Sequence, residues 1–572
     1  MKLNAFFDNF GLLADAPNGV QRLREMILQL AVQGKLVPQA PGDEPASVLL
    51  EKIKAEKERL VNERKIKKNK PLPPIKSDEI PYELPNGWKW ERLDNICSYI
   101  QRGRGPKYID ESNIPVISQK CIQWDGFKIE RARFVDPSSI EKYTEERFLQ
   151  TGDLLWNSTG TGTIGRVNVY SHEENLYDLV VADSHVTVVR PIKINSQYIY
   201  LFLASPVVQF GFEERASGTT NQIELNTTTV KNQIIAVPPV PEQKRIVAKV
   251  DELMALCDEL EVRKQQVSKN CIQLNDASIH KLLKVSEPKL FNKDWQRICD
   301  NFELLYSKPE NVAKLRQAIL QLAVQGKLVP QDPKDEPASV LLEKIKAEKE
   351  RLVKEGRIKK SKPLPLIDSV EVPYELPVGW EWCRFPEIGD FGRGKSKHRP
   401  RNAPELYIDG TVPLVQTGDV ARSNGRINTY TGLYNEKGLA QSKLWNKGTM
   451  CITIAANIAD SGILGFDACF PDSVVGFVPS DEIGDAKYFE YFMRTAKSRL
   501  TDFASSTAQK NINLGILQIV LIPLPPAPEI KRIVAKVEDL MALCDELEAS
   551  ILKSQTDCDK LMEAAVTEIL AA

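Results

Sequence analysis

Histidine is scarce: only His172, His185, His280 and His398 occur in 572 residues, and none of the ten cysteines forms a C-x-x-C pair. Neither a zinc centre nor a disulfide scaffold is supported by that usage. No stretch reaches the roughly 18 uncharged apolar residues that a bilayer span needs. The first residues, MKLNAFFDNFGLLADAPNG, carry acids where a signal peptide is purely apolar, so a cytoplasmic chain with no membrane contact is expected. The N-P-P-[YF] tetrapeptide of amino-methyltransferases, a glycine fingerprint for a methyl donor and a G-x-S-x-G elbow are all missing. There is also no excess of either charge, with 76 lysines and arginines against 77 acids. Any contact with nucleic acid must then be local, or shared with partners, because phosphate affinity comes from cations that release condensed counterions. What is present is ordinary for a folded protein: 42% hydrophobic and 27% charged residues, in a chain too long for one core.

An internal repeat organises the chain. A shift of 292 places LREMILQLAVQGKLVPQ from Leu23 over LRQAILQLAVQGKLVPQ from Leu315, and EPASVLLEKIKAEKERLV from Glu44 over an identical copy from Glu336. PYELPNGWKW and PYELPVGWEW align at the same shift. A second block, PPVPEQKRIVAKVDELMALCDELE from Pro238, matches PPAPEIKRIVAKVEDLMALCDELE from Pro525 at a shift of 287. The stretches between them share a skeleton but little identity: PVISQKCI at 115–122 parallels PLVQTGDV at 413–420, and GDLLWNSTGTGTIG parallels GTMCITIAANIADSGILG. Two units are too few for a solenoid and suit a pseudo-two-fold molecule. A shared frame with divergent inserts implies two different ligands.

The segments have distinct characters. Over 246–282, Ile246, Val250, Leu253, Cys257, Leu260, Val267, Cys271 and Leu274 fall on steps of four and three, with Lys264 and Ser278 interrupting. The C-terminal copy places Ile533, Val537, Leu540, Cys544, Leu547, Ile551, Cys558, Leu561 and Ala565 in the same register. Both read as coiled-coil seams, and the two helices are expected to pair as a rod of roughly 60 Å. Their cysteines read as small core residues. Shorter helices are predicted at about 19–34 and 45–64 and again 292 residues later, followed by basic, proline-stiffened linkers at 65–76 and 359–366. The inserts alternate short β-branched runs with glycine, proline and asparagine, predicting mixed α/β globules, with one helix each near Gln197 and Lys487.

One formal P-loop match exists, in GDFGRGKS, where Gly389, Gly394, Lys395 and Ser396 fit G-x-x-x-x-G-K-[ST]. Its context opposes a nucleotide site: KHRPRN follows instead of a helix start, and the first-half counterpart QRGRGPKYID has no serine. The loop reads better as a nucleic-acid contact, since Arg393, Lys395, Lys397, His398, Arg399 and Arg401 concentrate charge among glycines, and Arg102, Arg104 and Lys107 do so in the first half. Amide and hydroxyl side chains suited to base edges occur in NSTGTGTIGR, with Thr159, Thr161 and Arg166, and in SGTTNQIELN, with Thr219, Thr220, Asn221 and Gln222. SSTAQKNIN, with Lys510 and Asn511, matches the latter in the second half. Gln119, Lys120, Gln416 and Thr417, at the ends of predicted strands, complete the candidates. Many of these types are also ordinary turn formers.

The G-W at the start of each insert, the glycine-rich mid-segment, S-G-T-T-N-Q and P-P-x-P-E-x-K-R-I-V before a long helix together resemble the specificity subunits of type I restriction-modification enzymes, over nearly the whole chain. The resemblance implies an α+β (mixed) protein, with two globular target recognition domains joined by a long antiparallel coiled coil. It divides the chain into a conserved helical region and linker at 1–84, a target recognition domain at 85–241, a coiled-coil helix at 242–285, a second conserved region at 286–376, a second target recognition domain at 377–528 and a second coiled-coil helix at 529–572. It implies one half of a split, asymmetric site on double-stranded DNA for each domain, with the coiled coil as ruler. The chain itself would be non-catalytic and bind no cofactor. Two modification (methyltransferase) subunits and the restriction (motor-nuclease) subunits would bring S-adenosylmethionine, ATP and Mg2+. The second half departs from the pattern where Ser505, Ser506, Thr507 and Ala508 replace serine-glycine-threonine. Two other readings are a coiled-coil scaffold joining two protein-binding globules and an NTPase using Lys395.

Overall fold

The computed structural model describes residues 10–68, 70–160, 162–174, 177–210, 224–285, 287–356, 363–368, 370–505 and 512–571. It resolves into two compact units, residues 1–267 with 555–572, and residues 268–554.

Each unit builds its core by packing a frame helix against its head. In the first unit the helix Gly19–Val32 buries Leu23, Met26, Ile27 and Leu30, whose spacing sets one apolar stripe. Gly34 follows with φ +69°, and a Cβ there would meet Pro85 and Trp88. The helix Ala46–Asn62 anchors through Ala46, Leu49 and Ile53. In the second unit Pro309–Val324 and Ala338–Lys354 repeat the arrangement, with Gly326 against Pro377 and Trp380. The head is clamped to the long helix by a buried indole: Trp88 Nε1 donates to Glu242 Oε2 at 3.0 Å, and Trp380 Nε1 donates to Glu529 Oε2 at 3.0 Å.

The heads are α+β. The first holds a four-stranded sheet in the order Cys97–Arg102, Val186–Pro191, Leu154–Asn157, Val167–Val169, a second of Val181–Ala182, Pro115–Ile117, Arg133–Val135 and Tyr108–Ile109, and a closing pair, Lys89–Arg92 with Ile234–Val237. The second head repeats the plan with Gly389–Arg393, Val474–Pro479, Met450–Thr453, Ser461–Leu464 and Gly425–Ile427 in one sheet, and Glu381–Cys383 with Ile522–Leu524 as the closing pair. Lys487–Ser505 is the single helix predicted. Near Gln197 the prediction needs correction. The helix Ser196–Ala204 stops at Ser205, and Pro206, which lacks an N–H, starts a separate turn, Pro206–Gln209.

The long helices run Val240–Lys284 and Ala527–Ala571. The first begins in the first unit and ends in the second, and the other does the reverse. Within each unit an arginine of the frame helix ties to them at matching places: Arg24 to Asp258 (2.8 Å) and Glu261 (2.7 Å), Arg316 to Asp545 (2.7 Å) and Glu548 (2.9 Å).

Their seams depart from the strict heptad. Ile246, Val250, Leu253 and Cys257 are buried, as are Ile533, Val537 and Cys544. Val267, Leu274 and Leu561, however, are 56%, 49% and 71% exposed, while Asn275 and Met562 are buried instead. The stripe of least exposed positions, half-buried here, advances by four residues twice in succession, at 260, 264 and 268 in one helix and at 547, 551 and 555 in the other. That is a stutter, which follows because 3.6 residues per turn drift away from a 3.5-residue repeat. It falls at the same place in both copies.

Candidate nucleic-acid interface

In the first head, four loop regions converge at the end of the sheet. The strand Cys97–Arg102 runs into the Gly103 loop, Pro115–Ile117 into Ser118–Cys121, Leu154–Asn157 into Ser158–Gly160, and Val181–Ala182 into Asp183–His185. Gly103 is the crossing point: its N–H donates to the Val186 carbonyl at 2.9 Å, and the Arg104 N–H donates to the Ala182 carbonyl at 3.0 Å. Gly394 N–H to Val474 O (2.9 Å) and Lys395 N–H to Phe470 O (3.1 Å) reproduce this in the second head. A Cβ on either glycine would lie closer than 3.0 Å to two backbone carbonyl oxygens of the facing loop. The glycines are therefore required by the protein's own backbone. The strand Gly389–Arg393 is followed by extended and bent chain until a short turn at Pro404–Leu406, so the P-loop match has no helix N-terminus to hold phosphate.

Several candidate residues gather here with their charges already engaged. Arg102 pairs with Glu224 and donates to the Leu225 carbonyl at 3.1 Å. Arg166 donates to Gln123 Oε1 at 2.6 Å and to the Gly162 carbonyl at 2.7 Å. Lys107 pairs with Asp136 at 2.8 Å and, with the Ser138 bonds, holds that carboxyl at about 2. Arg104 and Lys120 are exposed, and the Arg104 carbonyl accepts from the Tyr143 hydroxyl at 2.6 Å. Thr159 and Gln119 meet: Thr159 Oγ1 lies 3.4 Å from Gln119 Oε1 and 2.7 Å from His185 Nδ1. The contribution of His185 was missed in the sequence, although D-S-H interrupting two β-branched runs is a visible signal of a loop end. Thr161, Thr219, Thr220, Asn221 and Gln222 lie outside the described residues.

In the second head, Arg393, Lys395, Lys397 and Arg399 are exposed along one loop. The loop is shaped by Gln441, whose Oε1 accepts from the N–H groups of Lys397 (2.6 Å) and His398 (3.1 Å), and by Ser442, which donates to the Lys395 carbonyl at 2.8 Å. Arg399 folds back on the carbonyls of Ser396 and His398, both at 2.8 Å. Arg401 grips both oxygens of Asp472, at 2.7 and 2.9 Å. Gln416 and Thr417 open the short helix Thr417–Ala421, fixed by Asp419, which accepts the Gln416 N–H at 2.9 Å. Lys510 and Asn511 lie outside the described residues.

A groove of about 1490 Å³ lies elsewhere in the second unit, beside Pro309–Val324 and Lys487–Ser505. Of its charged residues, Lys314 pairs with Asp276, Lys497 with Asp460, and Arg316 reaches out to Asp545.

Two heads with one backbone register and unlike loop side chains, each set on a copy of one frame, are the architecture of a modular recognition subunit. The chain belongs to the specificity-subunit family of type I restriction-modification enzymes. The type I restriction modification DNA specificity domain matches it twice, at residues 85–269 and 377–554. It is 34% identical over 571 residues to the type I restriction enzyme EcoAI specificity subunit of Escherichia coli, covering 96% of this chain and 94% of the relative. The EcoEI specificity subunit of the same organism is also 34% identical, over 582 residues with the same coverage. A crystal structure of the HsdS subunit from Thermoanaerobacter tengcongensis aligns with 86% of this chain and 98% of its own, at 17% identity and a TM-score of 0.44. No helix among the described residues is long and apolar enough to cross a membrane.

Proposed function

We propose that this chain is the DNA-specificity subunit of a type I restriction-modification complex, each head reading one half of a split, asymmetric site. The observation that carries this reading is the matched Gly103 and Gly394 crossing, which presents equivalent loops with different side chains on two copies of one frame. The exposed cations of 104–107 and 393–401 would position phosphate, and the side chains at the strand ends would reach base edges. Two modification subunits would methylate and restriction subunits would cleave, bringing S-adenosylmethionine, ATP and Mg2+, with no reaction carried by this chain. They would also supply phosphate contacts that a net charge of -1 does not.

Exchanging residues 377–528 for the equivalent segment of a related specificity subunit is expected to change one half of the methylated sequence. Sequencing of methylated adenines reads the result, and a change in both halves or neither would overturn modular reading. Inserting one heptad into each long helix is expected to alter the spacer and keep both half-sites; an unchanged spacer would reject the ruler. A scaffold without DNA function would show no salt-dependent DNA affinity, even with modification subunits bound.

A further inference from the structure

The two heads share one hydrogen-bond register, which relates three positions of the first to three of the second. Ser158 N–H donates to His185 O at 2.9 Å, and Ile454 N–H donates to Ser473 O at 3.0 Å, which makes Thr159 equivalent to Ala455 and His185 to Ser473. The pairs Val116 with Val181 and Leu414 with Cys469 make Gln119 equivalent to Thr417. At identical places on the framework, one head carries glutamine, threonine and histidine; the other carries threonine, alanine and serine. The first three are linked through Thr159, which contacts both Gln119 and His185. Fold requirements are common to both heads, so they do not explain the difference.

The protons in this cluster can be assigned. A hydroxyl has one proton, and Gln119 Oε1 can only accept. Both contacts of Thr159 are satisfied together only when its hydroxyl donates to Gln119 Oε1 and His185 Nδ1–H donates to Thr159 Oγ1. The neutral ring then carries its lone pair on Nε2, which has no partner among the described residues, on an exposed side chain. The main chain beneath is pinned, since His185 N–H donates to the buried Asp183 carboxylate at 2.8 Å. The neighbouring Arg102–Glu224 pair neutralises itself.

We infer that His185, oriented by Thr159 and Gln119, is a specificity-determining residue of the first head, its Nε2 accepting a hydrogen bond from a base's exocyclic amine in the major groove. Adenine N6 and cytosine N4 are the amines exposed there. This rests on the DNA-specificity reading proposed above.

The test uses the complex assembled with its modification subunits, presented with a library in which every base pair of the first half-site is varied. The wild-type complex is expected to demand adenine or cytosine, and to reject thymine and guanine, at one position of one strand, and methylated-adenine sequencing identifies which. His185→Ala is expected to reduce discrimination at that pair about 10-fold, leaving the second half-site unchanged. Thr159→Val, which frees the ring to adopt the other tautomer, is expected to shift the preference at the same pair towards guanine, whose O6 and N7 accept. His185→Gln, which keeps an acceptor, should retain part of the discrimination and guards against a folding defect in the alanine variant. Undiminished discrimination in His185→Ala, or equal loosening at every pair of both halves, would overturn the assignment. A wild-type complex that methylates without sequence selection would instead overturn the parent reading, and this one with it.

Discussion

Gly103→Ala is expected to destabilise the first unit by about 3 kcal/mol and to lower its unfolding midpoint by about 10 °C, whereas Gly105→Ala, two residues along, should be close to neutral. The added methyl at Gly103 would meet the backbone oxygens of Ala182, at a strand end, and of buried Asp183, both closer than 3.0 Å, so backbone rather than a flexible side chain must shift. At Gly105 the nearest atom to a new Cβ is Ser184 Oγ, at 3.9 Å. Gly394→Ala and Gly392→Ala make the matching pair in the second unit: the first faces the carbonyls of Phe470 and Pro471, and the second only the edge of Trp445 at 3.9 Å. Because the loops that hold the candidate reading residues hang from these crossings, sequence selection should fail with stability. Calorimetry and hydrogen exchange over 97–104 and 180–187 read the effect. Equal tolerance of both glycines in a loop would show that the crossing does not organise it, and loss of DNA binding with unchanged stability would return the motif to a phosphate cradle.

That contrast shows where a sequence stops informing. G-R-G occurs in both halves, and composition alone lets both glycines approach a ligand; only the hydrogen-bond register distinguishes a glycine that touches backbone from one that does not. The frame was legible because it is written twice: near-identical helices could be anticipated wherever the copies agree, whereas the Trp–Glu clamp that holds each head to its long helix emerged only in three dimensions. The long helices were legible in extent but not in packing. Val267, Leu274 and Leu561 continue a heptad on paper, yet the helix has by then turned them outward and turned Asn275 and Met562 inward. A polar Asn at one of these two matched positions hid the stutter. Gln119 and Thr159 could be picked as polar residues ending strands, while His185 gains meaning only from its contact with Thr159, across a separation in sequence that no local pattern spans.

The second large effect concerns Glu490, which is 2% exposed on the helix Lys487–Ser505. Ser461 Oγ donates to it at 3.4 Å and the Arg494 guanidinium stands 3.9 Å away, so its charge is poorly compensated. Burial pushes the carboxyl from 4.5 up to about 7. The folded state therefore favours the protonated form. Stability from this group is fully present below about pH 4.5 and is lost as pH rises through about 7, amounting to about 3 kcal/mol by pH 8. Glu490→Gln keeps the shape and an acceptor for Ser461 without a charge. It is expected to match the wild type near pH 4.5 and to exceed it by about 3 kcal/mol at pH 8, flattening the pH dependence of the second unit's unfolding. The first unit has Tyr200 in the equivalent place, two residues beyond Tyr198 as Glu490 is beyond Tyr488, and those tyrosines make the same bond, to Ala236 O at 2.8 Å and Pro523 O at 2.7 Å. Buried Asp153 and Asp183, both raised by desolvation, give the first unit a pH dependence of its own, which the substitution leaves unchanged. Denaturant unfolding of wild type and variant from pH 4.5 to 8.5 separates these contributions. Parallel curves over that range would mean that Glu490 is ionised in the folded protein at no cost, and that Arg494 and Ser461 compensate it far better than their distances allow.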